Sequence, residues 1–222
     1  MEIAAPGRKS IQVRYVKAGA GITMEEYSSK MDDIPDNYLL GDNWSGYKTG
    51  CSASFKIAHS GSQILLKFYI KNDYFRSAKR PVNSDVNKDN CVELFIRFGP
   101  DEAYYNIEFN CLEVGKVAYG TSRRNRKLLP EAYIRKIGVW TQFTSLRPIF
   151  NWEIMFSIPL DVFCFQQIRS LQGLKCEANF YSCGDELPNP HYLVWSPVAS
   201  PKPDFHQPEY FGDIVFSEAS AS

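Results

Sequence analysis

The sequence predicts an all-β fold: an antiparallel β-sandwich of the immunoglobulin or jelly-roll kind, with short helical turns confined to its loops. Roughly ten segments alternate apolar and polar residues with the period of a half-buried strand. Turns rich in Gly, Pro and Asn separate them at short spacing. Little of the chain reads as helix, which argues against a parallel α/β sheet. The pattern is clearest in Lys88–Gly120. There Val92, Leu94, Ile96 and Phe98 share one face, and Glu93, Phe95 and Arg97 the other. After a Gly99-Pro100-Asp101 turn, Tyr105, Ile107, Phe109 and Cys111 alternate with Tyr104, Asn106, Glu108 and Asn110.

Residues 1–45 are the irregular part. Within them Ile11–Val16 reads as a short strand, and Thr23–Met31 as helical turns that Ile34-Pro35-Asp36-Asn37 breaks. Ala53–His59 and Ile64–Lys71 are strands joined by a Ser60-Gly61-Ser62 turn. Asn72–Asn87 is a polar loop long enough to bind something. After the central hairpin, Val117–Gly120 continues as strand, Thr121–Lys136 is polar, and Pro130–Lys136 forms a helical turn. Gly138–Phe143 and Trp152–Ile158 are further strands, the second leaving through Pro159 into a short helix ending near Phe163. Cys176–Cys183 and His191–Trp195 alternate again. Pro197–Pro208 is proline-rich and cannot be a central strand. Gly212–Phe216 is the last strand, and the small, polar tail 217–222 is expected to fray. With neither an internal repeat nor a linker, the 222 residues read as one domain, large enough to bury a sizeable core.

Lys and Arg number 25, as do Asp and Glu, so the chain lacks the broad basic field of a nucleic-acid binder. The one basic cluster, Arg123-Arg124-Asn125-Arg126-Lys127, reads as a solvated loop, with contact to a phosphate or carboxylate as the minority reading. No apolar segment is long enough to span a membrane, and no membrane partner is expected. The N-terminus lacks a secretory pattern, so a cytoplasmic location is expected if Met1 is the native start and export otherwise. The six cysteines form no CxxC pair, which weakens any zinc reading. Those in strands are expected to be buried free thiols.

Six blocks in order carry a family resemblance. They are Lys88-Asp89-Asn90-Cys91-Val92-Glu93-Leu94-Phe95-Ile96, Tyr104–Asn110, Trp152-Glu153-Ile154 running to Ile158-Pro159-Leu160, Ala178-Asn179-Phe180-Tyr181, Leu193-Val194-Trp195-Ser196-Pro197, and Phe205-His206-Gln207-Pro208-Glu209-Tyr210-Phe211-Gly212. From about Ala53 to Phe216 the chain resembles carbohydrate-binding module family 9-like domains, and most of all their single-domain branch in Bacteroidetes. The resemblance implies a β-sandwich that binds glucose- or xylose-type sugars without transforming them. Aromatic side chains clamp the sugar in such domains while charged and amide groups bond its hydroxyls, and some members hold structural calcium. Trp195 falls in a matched block, whereas a second clamp tryptophan does not align.

The expected function is therefore non-catalytic binding of a carbohydrate or a similar polyhydroxylated molecule. The polar face of the central hairpin offers Glu93, Arg97, Asn106, Glu108 and Asn110, and a neighbouring Cys176–Cys183 strand would add Glu177, Asn179 and Tyr181. A solvated sheet face explains these residues equally well, although Asn is depleted in strands. The stiff loop after Trp195 presents Asp204, Phe205, His206 and Glu209, or else Trp195 and Phe205 merely cover one end of the core. The residues expected to bind are Trp195, Phe205 and Tyr119 as apolar contacts and Glu93, Arg97, Asn110, Asn179 and His206 as polar ones. Hydrogen bonding rather than metal or haem ligation is expected of His191 and His206. Trp44 and Trp152 are read as packing. No cofactor is expected, unless Asp85, Asp89 and Asp101 supply oxygens to a structural calcium. Two alternatives stand beside this reading. One is a glycan-active hydrolase of unrecognised type using the paired Glu93 and Glu108. The other is an intracellular protein-interaction module that lost its sugar site.

Overall fold

The structure, a computed structural model, describes residues 7–17, 21–145 and 149–219. The protein is mostly β. The strands are β1 (Ser10–Tyr15), β2 (Asn37–Tyr38), β3 (Ser52–His59), β4 (Gln63–Asn72), β5 (Cys91–Phe98), β6 (Tyr104–Asn110) and β7 (Gly115–Gly120). They continue with β8 (Arg126–Leu128), β9 (Gly138–Ser145), β10 (Phe150–Pro159), β11 (Lys175–Cys183), β12 (Tyr192–Val194) and β13 (Gly212–Phe216). Two short helices interrupt them, α1 (Met24–Lys30) and α2 (Glu131–Ile134). A capping box fixes the start of α1: the Thr23 side chain accepts from the Glu26 N–H while the Glu26 carboxylate accepts from the Thr23 N–H.

Hydrogen bonding runs in the order β8-β7-β6-β5-β11-β13-β1-β3-β4-β10-β9, with β12 added to β11 and β2 to β3. The wholly antiparallel arrangement expected from the sequence is corrected at β1. Its residues Ser10–Val13 run parallel to Asp213–Phe216, and Arg14 and Tyr15 then run parallel to Ala58 and His59. No tight hairpin joins β1 to either neighbour, so nothing forces an antiparallel pairing. The start of the chain, expected to be irregular, thus joins two runs of strands into one curled sheet. The tail expected to fray from residue 217 is tied as far as 219. The Ser217 N–H donates to the Val13 carbonyl and the Ala219 N–H to Gln172 Oε1, while 220–222 lie outside the described residues.

The main core lies between the two runs. Phe55, Phe68, Trp152 and Phe156 come from one side, and Leu94, Ile107, Phe109 and Phe180 from the other. Phe55 stacks on Phe180 with ring centroids 3.9 Å apart, and Phe109 meets Phe156 at 5.1 Å. The alternation in β5 is as read: Val92, Leu94, Ile96 and Phe98 enter this core. Its other face is not solvated, however. Glu93 and Phe95 are buried, and every residue of β6 is buried. Loops fold back over that face and pack a second aromatic layer on it, built from Phe95, Tyr104, Tyr181, Phe205 and Phe211.

Replacing Phe55 with Ala removes a fully buried ring from the contact between the two runs. We expect a loss of about 3–5 kcal/mol in urea unfolding, the usual range for a buried Phe.

Candidate functional site

A cavity of about 330 Å³ opens on the loop-covered face of β5, β6 and β11. Strand register builds its floor. Glu93 of β5 lies opposite Glu108 of β6, and Glu108 lies opposite Lys116 of β7. Cys183 of β11 completes the floor and lies opposite Cys91. The walls are loops. The turn Val86–Lys88 brings Asp85, Asn87 and Lys88, and the β7–β8 hairpin brings Arg123 and Arg126. Asp185 follows β11, Tyr192 begins β12, and the proline-rich loop adds Pro203, Phe205 and His206.

Buried polar groups on this floor are heavily bonded, as desolvation demands. Glu108 accepts from Asn106 Nδ2 at 2.6 Å and pairs with Arg126 at 3.4 Å. Arg126 also donates to Asn106 Oδ1. Glu108 Oε2 is buried and has no partner. The Cys183 thiol donates to Glu93 Oε1 at 3.2 Å. Burial, and then the neighbouring Glu108, pushes the Glu93 carboxyl well above the usual carboxylate range. At the rim, Lys116 pairs with Asp85 at 3.4 Å, and Asn87 Nδ2 donates to Asp185 Oδ2 at 2.7 Å.

The proline-rich loop is pinned by Asp204. Its carboxylate accepts from the His206 N–H at 3.1 Å, from Gln207 Nε2 at 2.8 Å and from Arg123 at 3.0 Å. Burial raises the Asp204 carboxyl, but Gln207, Arg123 and the His206 N–H outweigh it and hold it below its ordinary value. Phe205 stacks on Tyr181 with centroids 4.1 Å apart and has the Tyr192 and Trp44 rings at 6.0 Å. The His206 ring hydrogen-bonds the Tyr104 hydroxyl through Nδ1 at 2.7 Å. Burial, with Arg126 and Arg123 nearby, pushes the His206 imidazole down to about 3.

The cavity thus combines an aromatic wall, cationic donors and carboxyl acceptors. A family model described as carbohydrate-binding family 9 matches residues 30–216. The chain belongs to carbohydrate-binding family 9. A solved candidate carbohydrate-binding protein from Bacteroides uniformis is 32% identical over 95% of this chain and 100% of its own, with a TM-score of 0.89. A family 9 module from Caldicellulosiruptor kristjanssonii, solved in complex with cellotriose, shares the fold at 13% identity and a TM-score of 0.62, over 96% of this chain and 95% of that one. Its complex with glucose matches at 14% identity and a TM-score of 0.58, over 96% and 98%. No curated protein matches the chain.

Of the residues expected to bind, this family 9 chain brings Glu93, Phe205 and His206 to the cavity. Five lie elsewhere. Arg97 shares a strand face with Glu93 but sits near the far end of β5, where its Nε donates to Glu177 at 2.7 Å and Arg8 joins the same carboxylate. Asn110 is fully buried. Its Oδ1 accepts from the Leu112 and Val114 N–H groups and its Nδ2 donates to Asp89, so it holds the β6–β7 turn. Asn179 does similar work, receiving the Ser196 N–H and donating to the Ser196 carbonyl. Tyr119 and Trp195 point toward the core. Tyr119 stacks on Phe165, and Trp195 meets Phe55 and Phe180 edge-on. Pleating requires this of Tyr119, because Lys116 on the same strand faces the cavity and Tyr119 lies three positions further on, an odd offset that puts it on the opposite face.

The arginine cluster read as solvated supplies Arg123 and Arg126 to the cavity. The minority reading of that cluster, contact to a carboxylate, was the one trace of this in the sequence: Arg123 bonds Asp204 and Arg126 pairs with Glu108. Lys116, Asp185 and Tyr192 left no such signal. The three aspartates named as the exception, which could have supplied oxygens to a calcium, form no ligand group among the described residues. Asp85 pairs with Lys116, Asp89 with Arg80 at 3.1 Å, and Asp101 sits in an exposed turn.

His206 makes stability depend on pH. Its imidazole titrates near the ordinary value of 6.5 when unfolded but at about 3 when folded, so acid favours the unfolded chain. This contribution is present above pH ~6.5 and is lost as pH falls toward about 3. His191, pushed down to about 4 by burial, acts in the same direction. We expect His206→Asn to show a smaller drop in unfolding free energy between pH 7 and pH 5 than the unaltered chain, measured by urea unfolding at both.

Proposed function

We infer that the protein binds a carbohydrate in the cavity over β5, β6 and β11 and does not transform it. The observation that carries this is the meeting of three features: the rings of Phe205 and Tyr192, the cations Lys116, Arg123 and Arg126, and the buried, unpartnered Glu108 Oε2. A sugar ring has apolar C–H faces that pack on an aromatic wall, and hydroxyls that both donate to Glu108 and accept from the cations. A volume near the lower limit of small-ligand sites, walled by loops, suits a free sugar or a chain end. A glucose-type sugar is the favoured class, by likeness to the module that binds glucose and cellotriose.

Binding fits the carboxyl groups better than hydrolysis does. Glu93 and Glu108 rise side by side from one floor, whereas glycoside hydrolysis uses two carboxyls flanking the bond. Arg126 already compensates Glu108. We read the two facing runs of strands as the sandwich expected of this family, a reading supported by the Phe55–Phe180 contact across them.

Calorimetry against a panel of mono- and disaccharides tests this function. At least one gluco-configured sugar should release or absorb heat, and Phe205→Ala should weaken it at least about tenfold. No heat and no thermal shift with any sugar at millimolar concentration would overturn the reading. Trp195→Ala should lower stability by about 3–5 kcal/mol, the usual cost of truncating a buried Trp, while leaving affinity in the remaining folded protein unchanged.

A further inference from the structure

The floor of the cavity holds a second constellation that sugar binding does not use. Cys91 and Cys183 are direct cross-strand partners, and Glu93 lies two residues beyond Cys91 on the same face of β5. Their sulfur and carboxylate oxygen atoms all lie within 4.8 Å of one another, and the Cys183 sulfur is already 3.2 Å from Glu93 Oε1. Among the described residues no other group of His, Cys, Asp and Glu ligand atoms is this close.

We propose that Cys91, Cys183 and Glu93 form a binding site for a thiophilic divalent cation, above all zinc. In a tetrahedral zinc site, bonds of about 2.3 Å to sulfur and about 2.0–2.2 Å to oxygen place neighbouring ligand atoms roughly 3.4–3.8 Å apart. From their present limit of 4.8 Å the three atoms need to draw together by at most about 1.4 Å. Three protein ligands leave a fourth position open, the pattern of zinc sites that hold a water. That position faces the cavity, because Glu93 and Cys183 line it while Cys91 closes the site from behind.

Charge and protons balance. Zinc bound by two thiolates and one carboxylate carries a net charge of about −1, and among the other residues lining the cavity the cations Lys88, Lys116, Arg123 and Arg126 outnumber the acids Asp85, Glu108 and Asp185 by one, which offsets it. Binding displaces the protons of both thiols to solvent, together with that of Glu93 wherever it is protonated, and no electron moves. The other buried cysteines, Cys51, Cys111 and Cys176, belong to no such group of three among the described residues.

The test uses the full chain, reduced and stripped of metal, without sugar, so it stands apart from the carbohydrate result. Cobalt(II) serves as the spectroscopic probe. One equivalent should produce thiolate-to-cobalt charge-transfer absorption in the near ultraviolet and tetrahedral bands in the visible, and zinc should displace it. Cys91→Ser or Cys183→Ser should abolish the charge-transfer band. Glu93→Gln should weaken cobalt affinity at least about tenfold while keeping that band. Cys176→Ser should leave both unchanged. If the Cys91 and Cys183 variants fail to fold, the unaltered chain decides: zinc should protect two thiols from a thiol reagent. The proposal is overturned if no thiolate band forms, if zinc protects no thiol, or if Cys91 and Cys183 are found joined as a disulfide whose reduction restores no metal uptake.

Discussion

A buried polar group must be bonded, and the outer face of β5 and β6 is rich in polar groups. Had that face stayed in water, Glu93, Asn106 and Glu108 would carry little structural consequence. Loops cover it instead, so each group on the floor is obliged to find a partner. The chain of bonds from Arg126 to Asn106 to Glu108 answers that demand, as does the thiol that Cys183 offers Glu93. Glu108 Oε2 is the part left unanswered. A cavity lined by such groups is costly unless a ligand or water completes it, so the same constraint that shapes the fold marks the site.

The scaffold beneath is apolar and closely packed. Phe55 against Phe180, and Phe109 against Phe156, fix the two runs of strands relative to each other. Side chains that are polar in sequence help to hold the loops above. Asn110 closes the β6–β7 turn, Asn179 grips Ser196, and Asp204 ties Arg123, His206 and Gln207 into one corner. Asparagines in strands were therefore a true signal, but a signal of loop attachment. A buried amide with two donors and an acceptor can satisfy several backbone groups at once, which an exposed one has no need to do.

The central hairpin, the strand alternation and the blocks shared with carbohydrate-binding family 9 were all legible in the residues themselves. Periodicity of two is a local property, and it placed Val92, Leu94, Ile96 and Phe98 in the core correctly. It also put Glu93 on the opposite face, and the pairing of β5 with β6 made it a neighbour of Glu108. The family match over residues 30–216 bears out the resemblance.

What only the tertiary structure decided is which polar face is covered and by what. Arg97 and Glu93 are indistinguishable by alternation, yet one reaches an ion pair near the strand end and the other a cavity. Trp195 looked like a sugar platform and is a core ring. Arg126 looked solvated and braces the floor through Glu108. Each outcome depends on where loops distant in sequence settle, and on the register that sets Cys91 against Cys183. Local sequence determines the faces of a strand because side chains alternate along it. It does not determine which neighbours those faces meet, because that depends on contacts between residues as far apart as Arg123 and Asp204 or Glu93 and Cys183.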